Sequence, residues 1–300
     1  MRILTYTVTQ ADAGRAVRSV VPRRFSLGQH AFRRLKVLEA VWVNGHAVRA
    51  DYLLQAGEII EVHLPDDEAA QLCTSSEELH PGLPPSFIRY QDEDLIIAAK
   101  GAPLPTLPAS HIPSGTLREQ LVSMLGVDEE TFVYHPVNRL DKGTSGLLCI
   151  ARHAHAQRLL TGQLHTGSFV REYLAVTEGV PMDSEGVIDA PIARLGTGAR
   201  RAVLKDGQRS VTHYRIEKTD GKRSLLRLRL ETGRTHQIRV HLAHIGCPIA
   251  GDYLYGTQLP ELAGRFALHS AHILLTQPIT GKRIEIDEPL PQELAALIRA

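Results

Sequence analysis

Asn138-Arg139-Leu140-Asp141-Lys142-Gly143-Thr144-Ser145-Gly146 holds one carboxylate between a large cation and a turn of small residues. Upstream, Val133, Tyr134 and Val137 read as strand. Downstream, Leu147, Leu148, Cys149 and Ile150 make the unbroken apolar run of a buried strand. Gly143, Ser145 and Gly146 let backbone pass close to a ligand. A carboxylate at such a junction can serve as nucleophile or base. On its own, an Arg-x-Asp is more often an ion pair beside a capping turn.

Around this stretch the pattern is one of short strands mixed with a few helices. Phe87-Ile88-Arg89-Tyr90 and Leu95 to Lys100 read as strands joined by the acidic turn Asp92-Glu93-Asp94. Phe169 to Val176 and the alternating Leu226, Leu228 and Leu230 read as further strands. Gly115 to Leu125 and Ala154 to Leu164 read as helices, and Leu104 to Pro113 as irregular chain. After a Thr232-Gly233 turn, Ile238, Leu242 and Ile245 share one helix face, with Gly246 as the stop. The fold expected is α+β, a mixed, largely antiparallel β-sheet with flanking helices.

The N-terminal part differs in charge. Ala13 to Leu38 carries Arg15, Arg18, Arg23, Arg24, Arg33, Arg34 and Lys36 with no acid, on segments whose Val17, Val20, Val21, Phe32, Leu35 and Leu38 form apolar helix faces. Val41 to Val48 reads as a hairpin about Asn44-Gly45, and Ala56-Gly57-Glu58 leads into a strand from Ile59 to Val62. Arg15, Arg18, Arg33, Arg34 and Lys36 are candidates for capturing phosphate backbone, although a charge run of this kind is often a solvated face. Pro65 to Pro85 reads as a linker, so the domains expected are residues 1–64, a linker over 65–85, and a larger domain over 86–300.

Two more segments, Arg171-Glu172-Tyr173 and Gly233-Arg234-Thr235-His236-Gln237-Ile238-Arg239-Val240-His241, join the first. In that order the three resemble the signature blocks of the RluA-type pseudouridine synthases, over roughly Ser86 to the C-terminus. The family's first block usually reads His-Arg-Leu-Asp-x-x-Thr-Ser-Gly, and Asn138 stands here where His is usual, as a hydrogen-bonding substitute. The resemblance implies that Asp141 is the essential carboxylate and that Arg139 enters the space left by an everted base. It further implies that Tyr173 packs on the target uracil and that Arg234 is the cation paired with the aspartate. The N-terminal part resembles the small alpha-L RNA-binding module shared with a ribosomal small-subunit protein.

Physical chemistry supports each assignment. A stacked uridine cannot offer its glycosidic bond to a side chain, and extruding it costs a few kcal/mol. The planar guanidinium of Arg139 can stack on neighbouring bases. A ring such as Tyr173 is worth about 1–3 kcal/mol per stacked base. A fixed cation at Arg234 holds the Asp141 carboxylate in its charged form. What is implied is an isomerase that needs no cofactor, acting on ribosomal or transfer RNA. The alternatives are a non-catalytic RNA-binding or ribosome-assembly factor and, more remotely, a hydrolase using Asp141 with His236.

Other chemistries find less support. His236, His241, His244, His153 and His155 lack the spacing of a zinc-protease helix, so no metal is expected. Ser145 and Ser270 lie in no nucleophile elbow, and Gly196-Thr197-Gly198 is no dinucleotide fingerprint but a flexible basic loop with Arg194, Arg200 and Arg201. Lys+Arg 34 against Asp+Glu 33 excludes a wholly basic coat while permitting local patches. No stretch approaches a membrane span, the first residues are not a signal peptide, and Cys73, Cys149 and Cys247 form no Cys-x-x-Cys. Reduced thiols in a cytoplasmic, monomeric protein are the expectation.

Overall fold

The computed structural model describes residues 2–65, 87–108, 114–262 and 264–298. Apart from Pro65, the expected linker lies outside the described residues, as does Cys73. Internal contacts divide the chain into Met1–Glu77 with Gly126–Val133 and His153–His155, and a larger unit of Glu78–Leu125, Tyr134–Arg152 and Ala156–Ala300.

In the first unit the elements run β1 (Arg2–Thr7), α1 (Val17–Arg24), α2 (Gln29–Val37), β2 (Val41–Val43), β3 (His46–Ala47) and β4 (Ile59–Leu64). The antiparallel sheet has the order β1-β4-β2-β3, and β1 was not foreseen from the sequence. Asn44 and Gly45 both take positive φ, 48° and 80°, the backbone that a two-residue hairpin turn requires. Val17, Val20, Val21, Phe32 and Leu35 are buried together with Leu4, Val41, Val43, Ile60 and Val62. The acid-free run is partly neutralised from just outside it. Fully buried Asp12 accepts from the Tyr6 hydroxyl at 2.7 Å and Arg24 Nε at 2.7 Å, and pairs with Arg23. Arg15, Arg18, Arg33, Arg34 and Lys36 remain on the surface.

In the larger unit the elements are β5 (Ile88–Gln91), β6 (Leu95–Lys100), α3 (Leu117–Leu125), β7 (His135–Pro136), β8 (Ser145–Ala151), α4 (Ala154–Thr166) and β9 (Val170–Glu178). There follow β10 (Glu185–Asp189), β11 (Ile192–Arg194), β12 (Arg201–Val203), β13 (Val211–Thr219), β14 (Arg223–Leu230) and α5 (Gln237–His244). The chain ends with β15 (Leu268–Thr276), β16 (Arg283–Asp287) and α6 (Gln292–Ala295). The main sheet runs β10-β13-β14-β9-β15-β8-β6-β5, with β16 beside β15 and β7 beside β8. Among the described residues the pairing is antiparallel except between β15 and β8, where His269 faces Ser145 and Ser270 faces Gly146. This is the mixed, largely antiparallel α+β architecture expected. Every residue of β8 is buried, as suits a strand covered on both faces. Leu95, Ile97, Leu147, Cys149, Ala156, Leu160, Phe169, Ile273 and Leu275 form one core, each large side chain contributing about 1.5–3 kcal/mol by leaving water.

One local expectation is corrected. The strand expected over Val133, Tyr134 and Val137 shrinks to His135–Pro136, because Pro136 has no N–H to give a ladder. Pairing continues by other means: Val137 N donates to Cys149 O at 2.8 Å, and Cys149 N donates to the Asn138 side-chain oxygen at 2.9 Å. The loop expected around Gly196 is the connection of a hairpin of β11 and β12, stapled by Arg194, which donates to Gly198 O and Thr197 O.

Candidate active site

Asp141 follows the buried Leu140 and the exposed Arg139, and its carbonyl accepts from Thr144 N at 3.0 Å to close a turn. The small residues after it answer to the protein's own packing. A Cβ on Gly143 would stand 2.6 Å from the Phe266 ring, and one on Gly146 would stand 2.2 Å from Ser270 O, with φ at +103°. Gly146 therefore lets β8 lie against β15, which fixes the turn that presents Asp141. Beneath it Lys100 is 1% exposed and donates to Leu104 O at 2.7 Å and Gly101 O at 2.9 Å. Burial pushes its pKa down to about 7, against the pull of the Asp141 charge.

The cation on Asp141 is Arg239, not Arg234. Arg239 Nη1 donates to Asp141 Oδ2 at 3.0 Å. Its other edge grips the fully buried Asp252 in a fork, Nε to Oδ2 at 2.7 Å and Nη2 to Oδ1 at 2.9 Å. The guanidinium lies 4.2 Å from the centroid of Phe266 and 5.0 Å from that of Tyr255. Burial opposes its charge, but the Asp252 and Asp141 carboxylates outweigh burial and raise its pKa. Arg234 is exposed, and its Nε donates to Arg209 O at 3.3 Å. The physical reason is the burial of α5 from Gln237 through Leu242. An arginine inside such a helix must be paired, whereas one in the preceding loop can face water. Gln237 locks that loop by accepting from Arg234 N at 2.9 Å and from the Thr232 hydroxyl at 2.8 Å.

His236 begins α5 in left-handed backbone, φ +59°, which brings its ring to the site. Its Nδ1 lies 2.8 Å from the Tyr255 hydroxyl, which accepts from Arg201 N at 2.9 Å and so can donate to the imidazole. Nε2 is 3.9 Å from Asp141 Oδ2. Burial lowers the His236 pKa despite the neighbouring Asp141 charge, favouring the neutral ring.

Tyr173 is on β9, 4% exposed and opposite Ser270 of β15. Burial raises its pKa. Arg171 opposes that rise and the Asp141 charge adds to it. Arg139 is near in sequence and exposed, the position required of a side chain that leaves the protein surface for RNA. The remaining candidates, Arg15, Arg18, Arg33, Arg34 and Lys36, belong to the first unit.

Asp141 thus has one oxygen anchored, while Oδ1 accepts no hydrogen bond from the described residues, and the side chain is 30% exposed. Such a carboxylate can attack or abstract a proton without first breaking its own support. The sequence reading missed Arg239, Asp252, Tyr255 and Phe266. One signal was available: Arg239 flanks the apolar face of its helix, and the first acid after it is Asp252, set among Gly251, Tyr253 and Tyr255. Among the described residues, no group of three or more His, Cys, Asp or Glu side chains is placed to hold a metal. No described helix is long and apolar enough to cross a membrane.

Comparison with known proteins identifies the family. Residues 95–244 match the RNA pseudouridylate synthase family. The uncharacterized RNA pseudouridine synthase YjbO of Bacillus subtilis is 35% identical over 86% of this chain and 89% of its own length. Ribosomal large subunit pseudouridine synthase D of Escherichia coli is 34% identical over 98% of this chain and 93% of its own length. Among solved structures, human RNA Pseudouridylate Synthase Domain Containing 4 superposes with a TM-score of 0.53 at 25% identity, covering 69% of this chain and 90% of that one. A matched family, relatives of this identity over nearly their full length, and the same fold lead to one conclusion: this chain belongs to the RNA pseudouridylate synthase family.

Proposed function

We propose that this isomerase converts uridine to pseudouridine in large-subunit ribosomal RNA, with Asp141 as the catalytic carboxylate. The observation that carries the proposal is the anchoring of one Asp141 oxygen by the buried Arg239 while the side chain stays partly open to solvent. The choice of ribosomal over transfer RNA rests on the Escherichia coli relative, which is named for the large ribosomal subunit.

In this proposal the target nucleotide leaves its stack, Arg139 occupies the vacated space, and the uracil lies on Tyr173. Asp141 acts at the ribose, as nucleophile on C1′ or as the base that removes H2′ on a glycal route. The uracil turns while held and rejoins through C5. The conversion is redox-neutral and consumes no water, so it calls for no cofactor. Arg239 holds Asp141 ionised and aimed, the kind of preorganisation that accounts for much of enzymatic rate enhancement. Exposed Arg15, Arg18, Arg33, Arg34 and Lys36 supply salt-sensitive hold on the RNA backbone. The protein works as a cytoplasmic monomer.

Mapping pseudouridine in ribosomal and transfer RNA from cells with and without this chain tests the proposal. A large-subunit position that reverts to uridine is the expected result. Changes confined to transfer RNA would overturn the substrate, and free uracil or abasic sites would point to a hydrolase.

A further inference from the structure

Arg171 is 8% exposed, and its Nε makes no hydrogen bond among the described residues. No described carboxylate pairs with it. The two acids of the site, Asp141 and Asp252, are held by Arg239, and neighbouring Glu172 is held by Arg227. Leaving a buried N–H of a charged group without an acceptor costs about 1–3 kcal/mol or more. Folding alone gives no return for that cost.

The surroundings show what the cation faces. Arg171 and Tyr173 are alternate residues of β9, so they project from the same face of the sheet about 7 Å apart. A Cβ on Gly233 would stand 3.3 Å from Arg171 Nη1, which puts the guanidinium against the loop leading to His236. Directly opposite Tyr173, Ser270 Oγ is fully buried and likewise without a hydrogen-bond partner among the described residues. Both side chains lie close enough to Tyr173 to lower its hydroxyl pKa against the burial that raises it. Two groups within reach of the Tyr173 hydroxyl, each with an atom left unpaired, therefore flank the ring proposed to carry the uracil.

We infer that Arg171 is a further catalytic residue, which binds a carbonyl oxygen of the target uracil and stabilises the negative charge on the base as the glycosidic bond breaks. The inference rests on the functional reading above. When C1′–N1 breaks, the electron pair stays on N1 and spreads to O2 and O4, giving a uracil anion. C1′ bonds to Asp141 or, on the glycal route, C2′ gives up H2′ to Asp141 and a C1′=C2′ double bond forms. When C5 joins C1′, the C1′–O bond to Asp141 breaks or, on the glycal route, C2′ takes its proton back from Asp141, so the charge returns to the carboxylate; H5 then leaves C5 and N1 takes up a proton. A planar fork of N–H donors is suited to the carbonyl edge of such an anion throughout its turn. A hydrated phosphate belongs at the exposed rim, where Arg139 and Arg234 lie.

The test is single-turnover conversion, with protein in excess, of ribosomal and transfer RNA extracted from cells that lack this chain. For Arg171→Met the expected result is a rate at saturation lower by about 100-fold, as for loss of one oxyanion donor, with half-saturating concentration within about twofold of wild type. Weaker binding with a reduced salt slope and an unchanged saturated rate would assign Arg171 to a phosphate and overturn the inference. An unchanged rate and affinity would overturn it too. Arg171→Lys keeps the buried charge and guards against misfolding. Its smaller deficit should shrink on transcripts containing 5-fluorouridine, whose departing base is a more stable anion; there the rate is read as consumption of 5-fluorouridine, since fluorine at C5 leaves no H5 to be lost, and equal deficits on both substrates would contradict the assignment. Inactivity of the wild type on both RNAs would instead sink the functional reading, and Arg171 with it.

Discussion

At the residue scale the site turns on Arg239, which satisfies one buried carboxylate and one partly exposed one at once. Removing the guanidinium strands Asp252 without its partner, a loss of about 3–5 kcal/mol in pairs of this type. Arg239→Met should therefore lower the unfolding midpoint in denaturant and abolish turnover. Arg234→Ala should leave the midpoint within about 0.5 kcal/mol of wild type, as exposed substitutions usually do. Equal effects of the two, by urea unfolding and single-turnover assay, would restore Arg234 to the role first expected of it. Asp141 and Tyr173 were legible in the sequence because they stand in compact blocks. The partner of Asp141 was not, since two arginines five residues apart share one block and only the depth of the helix separates them. Asp252 was invisible for a related reason: nothing in local spacing says that a carboxylate thirteen positions after Arg239 will fork it.

The decisive element is the short parallel seam between β8 and β15, which places the Asp141 turn beside the Tyr173 strand. Gly146 permits the approach, and Ser145 stitches it by contact with His269 Nδ1 at 2.8 Å while receiving Arg265 Nη2 at 2.7 Å. His269 Nε2 faces Glu288 O, an acceptor only, so the ring is neutral with its proton on Nε2. Burial pushes its pKa from the ordinary 6.5 down to about 4. Below pH 6.5 the unfolded chain takes up a proton that the folded chain refuses until about pH 4. The stability due to this group is thus whole above 6.5 and falls as pH drops toward 4, by up to about 3 kcal/mol. Urea unfolding at pH 7 and pH 4.5 should show a steeper acid loss for wild type than for His269→Gln, and parallel losses would refute the assignment. Strands β6, β8, β9 and β14 were readable from apolar runs and alternation. The parallel seam was not, because it joins residues more than a hundred positions apart, which no local pattern records.

At the scale of the whole molecule, the proposed function assigns charge outside the reactive site to capture of the RNA and not to the chemistry. Replacing Arg15, Arg18, Arg33 and Lys36 together by Gln should weaken RNA binding and flatten its dependence on salt, each lost phosphate contact reducing the slope by about 0.7–0.9. The single-turnover rate at saturating RNA should be unchanged, and a fall in that rate with an unaltered salt slope would show these side chains to act elsewhere. The charge run was plain in the sequence, whereas its partial neutralisation by Asp12 was hidden until the fold brought that acid to Arg23 and Arg24. Asp141→Asn isolates the one carboxylate proposed to act on the ribose, because it preserves size and leaves an oxygen for Arg239. The measurement is pseudouridine formed by that variant on RNA from cells lacking this chain, with RNA binding followed in parallel. Binding close to wild type with no detectable pseudouridine is the expected result; pseudouridine at the wild-type rate would contradict it.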